Sequence, residues 1–136
     1  MQAAILLAKM TIFPEEIQKR REAAKRYTDV ISGLQGGGGV VVPGVFEGVK
    51  SAWAQYSLLA KDGDMRALIC EKLKEKGVPT AVYYPTPLHL QTAYKDLGYK
   101  KGDFPVSEDC ADRIFSLPMH PYLQENVYGL VRAGLQ

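Results

Sequence analysis

The stretch Lys76–Gln91, KGVPTAVYYPTPLHLQ, decides how the second half of this chain folds. Gly77 follows a run of helical periodicity and is typical of a helix end. Residues 78–84 are rich in β-branched and aromatic side chains, so they predict a strand. Pro85 stops that strand, and Pro85 with Pro87 restricts the backbone to a rigid, extended turn. The stretch therefore predicts a helix end, a strand and a fixed turn in succession.

The rest of the chain alternates between helical and extended patterns. Apolar residues recur at helical spacing in several segments, while β-branched and aromatic residues gather in others. The predicted helices are 2–10, 15–32, 65–73, 90–97, 106–114 and 125–133. The predicted strands are 40–42, 51–59, 78–84 and 115–119. This order predicts the α+β class: a small, mostly antiparallel sheet covered by helices, preceded by a long N-terminal helix that Pro14 interrupts.

Single residues indicate where the elements begin and end. Asp62 is predicted to cap the helix that follows it, and Gly33 is predicted to be the C-cap of the helix 15–32. Gly36–Gly39 are interpreted as a flexible connector, because a phosphate loop needs a preceding strand. Trp53 is predicted to lie in the core. We expect one domain, 1–136, with a linking helix region at 1–34 and the α+β body at 40–136.

Composition excludes several classes of function. The 136 residues carry a net charge of only +2, so we expect no nucleic-acid partner. The basic residues of Lys19–Arg26 alternate with glutamates and indicate a solvated helix face, although binding of an anionic partner there stays open. Cys70 and Cys110 lack metal-ligand spacing, so we expect buried helical thiols and no metal. No stretch approaches the ~18 apolar residues of a membrane span, so we expect a soluble, cytoplasmic protein with no membrane partner.

Three segments resemble the DegT/DnrJ/StrS family of sugar aminotransferases. Residues 1–9, MQAAILLAK, are similar to the latter half of a family helix. Residues 76–91 resemble the family's strand-and-turn motif nearly throughout. Residues 102–106, GDFPV, with residues 117–121, LPMHP, resemble a further pair of motifs in the same order. The resemblance implies the C-terminal small domain of an aspartate-aminotransferase-type fold.

This resemblance implies a pyridoxal-phosphate-dependent enzyme. Such an enzyme moves an amino group, from glutamate in our interpretation, onto a keto-sugar nucleotide for surface polysaccharide or amino-sugar biosynthesis. The family's Schiff-base lysine and the aspartate that pairs with the pyridine nitrogen lie in a large N-terminal domain. We therefore expect no catalytic or cofactor-binding residue here, no bound cofactor and no activity of this chain alone. A homo-oligomer is expected.

The resemblance also implies substrate-binding residues. Tyr84 matches the family's pocket motif, whereas Tyr83 stands where the family has histidine. The alternative is that both are ordinary strand residues, one of them packed in the core. His89 is a candidate for contact with a ligand or a partner subunit, or else a turn residue satisfied by backbone hydrogen bonds.

A different class of function stays open. The chain could be a standalone binding or assembly module derived from the same domain. Against this, no capping residue precedes the first helix, which suggests that the natural chain extends upstream of Met1. The apolar face of that helix also predicts self-association of the isolated chain.

Overall fold

Two consecutive helices begin the computed structural model, which describes residues 2–136. Helix α1 spans Gln2–Met10 and helix α2 spans Phe13–Ser32, with Pro14 in the first turn of α2. Proline suits that turn because its missing amide hydrogen would have no helical acceptor there. Gly33 caps α2. The predicted N-terminal helix with its interruption at Pro14 is confirmed.

A three-stranded antiparallel sheet forms the centre of the domain. Strand β1 is Val40–Val41, β2 is Tyr56–Ala60 and β3 is Ile114–Leu117, in the spatial order β1-β2-β3. The remaining helices are α3 (Gly63–Glu75), α4 (Pro105–Arg113) and α5 (Asn126–Gly134), and short 3₁₀ turns span Leu88–Leu90 and Thr92–Leu97. The predicted α+β class with a small antiparallel sheet is confirmed.

Aromatic side chains join the helices to the sheet. The ring centre of Tyr27 on α2 lies 5.0 Å from that of Tyr56 on β2 and 5.0 Å from that of Tyr128 on α5. Tyr27, Tyr56 and Phe115 are fully buried. Their burial removes large apolar surfaces from water, the main favourable contribution to folding. The core therefore lies between the central strand and the helices α2 and α5.

Helix α3 begins and ends where its sequence indicates. The carboxylate of Asp62 accepts a 2.8 Å hydrogen bond from the amide of Met65 and so caps the helix. Gly77 adopts a φ of 77°, a conformation that glycine takes with little steric strain. The amide of Val78 then donates a 2.9 Å hydrogen bond to the carbonyl oxygen of Leu73. Both predictions are confirmed.

Two strand predictions need correction. Within residues 78–84, only Ala81 pairs with a strand, through two hydrogen bonds with Ser116 at 2.8 and 3.0 Å. Pro79 and Pro85 lack the amide hydrogen that a continuous ladder requires, so the predicted strand is reduced to one bridge. The strand predicted at 51–59 begins only at Tyr56.

Trp53 precedes β2 and does not belong to it. Its φ is 49°, in the left-handed region that few bulky residues occupy, and its side chain is half-buried. The indole packs against the ring of Tyr56 at 5.5 Å. Trp53, predicted to lie in the core on a strand, is instead partly buried, precedes the strand and packs against the edge of the core.

The glycine run has a defined shape. Gly36–Gly39 all have φ between 64° and 71°, and the turn that contains them, Gln35–Gly39, leads directly into β1. Only glycine adopts this left-handed conformation repeatedly without steric cost. At Gly38 a Cβ would also crowd Leu34 and Leu135 at 3.0 Å. The run is a tight left-handed turn in which Gly38 lies against Leu34 and Leu135.

The basic cluster on α2 is not simply a solvated face. Arg20 is half-buried, and its Nη1 donates to the carbonyl oxygens of Trp53 (3.1 Å) and Met119 (3.2 Å). The Nε of Arg21 donates to the carbonyl of Ser51 at 3.3 Å. Lys25, by contrast, is exposed and pairs with a neighbour on the same helix. The two arginines therefore tie α2 to the loop before β2.

The cysteine prediction is half right. Cys70 lies on α3 and Cys110 on α4, so the helical placement is confirmed. Both thiols are free, but both side chains are only partly buried. Cys110 in particular faces a cavity, which places it at the candidate site.

Candidate functional site

A cavity of about 470 Å³ separates the segment 84–91 from helix α4. One wall comes from the proline-bracketed turn and the other from one face of the helix. The lining residues are Tyr84, Thr86, Pro87, Leu88, Gln91, Ser107, Cys110, Ala111 and Ile114. Among these described residues there are hydroxyls, one amide and one thiol, but no charged side chain. The lining suits an uncharged ligand that combines an apolar face with hydroxyl or amide groups.

The two tyrosines of the motif lie at the surface. Tyr84 is 70% exposed and lines the cavity, and Tyr83 is 55% exposed and lines a much smaller one of about 20 Å³ beside the sheet. The alternative in which one of them packs in the core is therefore wrong. An exposed phenol ring that lines a cavity offers a flat apolar surface and a hydroxyl to a ligand.

His89 is buried beside the cavity and does not line it. Its side chain is 8% exposed, and its Nε2 lies 3.0 Å from the carboxylate Oε1 of Glu108. The ring also packs against Phe104, with 4.8 Å between the ring centres. The partner of His89 is therefore a carboxylate from α4, where the sequence suggested backbone groups.

Glu108 joins three parts of the chain through one oxygen. Its Oε1 accepts hydrogen bonds from the amides of Gly102 (2.8 Å) and Phe104 (3.4 Å) in addition to its contact with His89. The Gly102 amide, followed by His89, lowers the pKa of the Glu108 carboxyl, against the opposing effect of its partial desolvation. Our sequence reasoning missed Glu108. The available signal was a glutamate in the first turns of a helix, where carboxylates reach back to free amides.

A second cavity, of about 540 Å³, lies beside the glycine turn and includes Lys72 in its lining. Pyridoxal phosphate needs an amine for its aldehyde and an acid for its ring nitrogen. No aspartate or glutamate side chain accompanies Lys72 among the described residues of this lining. The residues present here therefore do not fit the cofactor.

The described residues hold neither a cluster of metal ligands nor a helix that could span a membrane. Across 2–136, no three side chains of His, Cys, Asp or Glu gather closely enough to hold a metal ion. None of the helices within the same range combines the length and apolar character needed to cross a membrane.

The family assignment follows from the match of the whole chain. Residues 1–135 match the model of the DegT/DnrJ/EryC1/StrS aminotransferase family. The chain belongs to this family. The fold described above and the cavity formed by the family-like motif are consistent with that assignment.

Individual relatives agree with the family assignment. The chain is 40% identical over 126 residues to a "pleiotropic regulatory protein" of Geobacillus stearothermophilus, covering 92% of this chain and 32% of that protein. It is 38% identical over 135 residues to a UDP-2-acetamido-2-deoxy-3-oxo-D-glucuronate aminotransferase of Pseudomonas aeruginosa, covering 99% and 35%. The structure superposes on a family aminotransferase from Brucella abortus with a TM-score of 0.84 and 40% identity, covering 98% and 34%. The chain thus spans about one third of the length of these relatives.

Proposed function

We propose that this chain is the substrate-binding small domain of an enzyme that transfers an amino group from glutamate to a keto-sugar nucleotide. Family membership supports the reaction class, and the Pseudomonas aeruginosa relative is named for a nucleotide-sugar substrate. The whole protein would use pyridoxal phosphate and would serve amino-sugar or surface polysaccharide biosynthesis in the cytoplasm. In this proposal, residues 1–34 link the small domain to the rest and residues 40–136 form its body.

The cavity beside α4 is the observation that carries the substrate proposal. Tyr84 supplies an aromatic face and a hydroxyl, and Gln91 and Ser107 add neutral polar groups. These groups can form hydrogen bonds with the hydroxyl groups of a sugar ring and with an amide substituent on it. Because the described lining has no cation, we assign it to the sugar and leave the diphosphate to other residues.

The proposal assigns the cofactor chemistry to residues outside this chain. Lys72 is the lysine that lines a large cavity here, and it lacks an acidic companion for the ring nitrogen. We therefore propose that the 136-residue chain is inactive alone. Tyr84, Tyr83 and His89 remain our candidates for the substrate side of the site, with Tyr84 contacting the sugar directly.

A homo-oligomer is also part of the proposal. Helix α1 exposes Ile5, Leu6, Leu7 and Met10, each at 60% or more. A contiguous apolar face of this kind favours contact with another protein surface. We expect the isolated chain to associate with itself, and sedimentation at high concentration measures this. A sharp monomer there would contradict the expectation.

The reaction is tested with the complete gene product that contains this chain. The purified protein, loaded with pyridoxal phosphate, is assayed with glutamate and UDP-linked keto-sugars, and the amino sugar is detected by mass spectrometry. We expect Tyr84→Ala to raise KM for the nucleotide sugar by about tenfold. The half-reaction with glutamate alone should not change. A slower glutamate half-reaction with an unchanged sugar KM would contradict the assignment of the cavity.

The chain alone gives the complementary test. It is mixed with pyridoxal phosphate, passed through gel filtration and scanned for cofactor absorbance. We expect no cofactor to remain bound. A band that survives, and that disappears in Lys72→Met, would overturn the proposal that the cofactor site lies elsewhere. If the gene encodes nothing beyond this domain, the alternative of a standalone binding module replaces the enzyme.

A further inference from the structure

The two walls of the cavity are joined at one point. Leu88 and Gln91 belong to one wall, and Ser107 and Cys110 belong to the other. His89 lies between the first two in sequence, and Glu108 lies between the second two. The 3.0 Å contact between His89 and Glu108 therefore crosses from wall to wall. Both side chains are largely buried, at 8% and 15% exposed, so water competes little for this bond.

The segment 82–99 has little else to hold it to α4. Within the described chain, we find no other hydrogen bond between that segment and the helix; its remaining bonds are local, such as the 3.2 Å bond from the Gln91 side chain to the Thr86 carbonyl. Ring packing adds to this bond at the same place, because Phe104 at the start of α4 lies against the ring of His89 and Tyr99 packs edge-on against Phe104.

The carboxylate of Glu108 is itself fixed. Amides of Gly102 and Phe104 donate to the same oxygen that faces His89, so the carboxylate cannot swing away without losing these partners. His89 therefore meets an acceptor whose position is set by the start of α4.

We propose that His89 and Glu108 are positioning residues whose hydrogen bond sets the separation of the two cavity walls. The effect of this role on binding rests on the proposed function. In that function, a fixed wall separation holds Tyr84 and Gln91 where they contact the sugar of a nucleotide sugar. His89 acts behind the wall, and the wall residues contact the ligand. The pair is a positioning device that joins residues 19 apart in sequence.

Cys110 reports on the wall separation, because its thiol lines the cavity. In the 136-residue chain carrying Cys70→Ser, Cys110 is the one remaining cysteine. Its rate of alkylation by iodoacetamide measures how often the cavity opens. His89→Phe keeps an aromatic ring against Phe104 and removes the hydrogen bond. We expect alkylation about fivefold faster than in the parent, the change in open population when a typical hydrogen bond is lost. An unchanged rate would overturn the proposal.

Two further variants separate positioning from general loosening. Glu108→Gln keeps an oxygen that can pair with His89, so its alkylation should stay within about twofold of the parent. Asp109 follows Glu108 on α4 and forms a 3.1 Å ion pair with Arg113. Asp109→Asn breaks this pair and should leave the alkylation rate unchanged. Equal acceleration in His89→Phe and Asp109→Asn would overturn the proposal. If His89→Phe is unfolded by circular dichroism, Glu108→Asp replaces it, since its shorter side chain withdraws the oxygen from His89.

A probe distinguishes failure of this proposal from failure of the proposed function. UDP-N-acetylglucosamine should slow alkylation of Cys110 in the parent chain. In His89→Phe, a concentration about tenfold higher should be needed for the same slowing. Absence of protection in the parent would count against the sugar cavity of the proposed function. The alkylation rates without probe still decide the role of His89 and Glu108 in that case.

Discussion

The hydroxyl of Tyr27 donates a 2.9 Å hydrogen bond to the carbonyl oxygen of Pro118, which lies 91 residues later in the chain. The bond ties α2 to the segment that leaves β3. Tyr27 is fully buried, and burial raises the pKa of its hydroxyl, which therefore stays protonated and able to donate. Loss of this donor leaves a carbonyl without its partner inside the protein.

Tyr27→Phe tests the contribution of that bond. We expect the free energy of unfolding to fall by about 1–2 kcal/mol, because the ring packing is kept and only the hydroxyl is removed. Tyr122→Phe is the matched control, since the exposed Tyr122 donates to Glu16 at 2.9 Å and its loss should change stability by less than ~0.5 kcal/mol. Urea denaturation measures both; equal losses would contradict the account.

Two glycines on helix α5 should respond to alanine in opposite directions. A Cβ at Gly134 would overlap the side chain of Leu73, which is fully buried, whereas a Cβ at Gly129 meets open space. We expect Gly134→Ala to destabilise by about 1–3 kcal/mol through overpacking. Gly129→Ala should stabilise by about 0.5–1 kcal/mol because alanine favours the helix. Thermal unfolding followed by circular dichroism checks the signs, and a stabilised Gly134→Ala would refute the packing.

Arg20 should matter more than its cationic neighbour Lys25. Arg20 donates to two backbone carbonyls from separate segments, while Lys25 forms an exposed 2.6 Å pair with Asp29. Arg20→Ala is expected to cost about 1–3 kcal/mol. Lys25→Ala should cost less than ~0.5 kcal/mol because water screens an exposed pair. Chemical denaturation of both variants measures the two losses in free energy of unfolding. Similar small losses would show that Arg20 behaves as part of a solvated helix face, as the sequence predicted.

Acid should weaken the contact between Glu108 and its amide donors. The pKa of Glu108 is lowered below its ordinary 4.5 in the folded chain. The stabilisation is therefore fully present above the ordinary pKa and is lost as the pH falls through the lowered one. Stability measured between about pH 6 and about pH 3 should fall less steeply in Glu108→Gln than in the parent, because glutamine does not titrate. Identical slopes would show that Glu108 contributes nothing to this dependence.

The sequence predicted helix boundaries well where a single residue determines the local backbone conformation. Asp62, Pro14 and Gly77 marked helix boundaries because each acts through its own capping group or its own φ. The strand predicted at 78–84 is reduced to one bridge for two reasons: Pro79 and Pro85 lack an amide hydrogen, and the partner strand lies elsewhere in the chain. Pairing depends on where Ser116 lies, and only Ala81 comes within reach of it.

The candidate site was only partly predictable. The resemblance drew attention to Tyr84, which does line the cavity, but no spacing in the sequence indicates that His89 meets Glu108. Their contact depends on the path of the whole turn between them. Arg20 was misread for the same reason, since its carbonyl acceptors are 33 and 99 residues away.

The proposed function requires the cavity between segment 84–91 and α4 to bind the sugar of a nucleotide sugar. Titration of the ¹⁵N-labelled chain with UDP-N-acetylglucosamine, followed by NMR, measures this binding residue by residue. The account predicts saturable chemical-shift changes at Tyr84, Gln91, Ser107 and Cys110, and their loss in Tyr84→Ala. Shift changes confined to the glycine turn and Lys72, or none at these four cavity residues at saturating ligand, would contradict it.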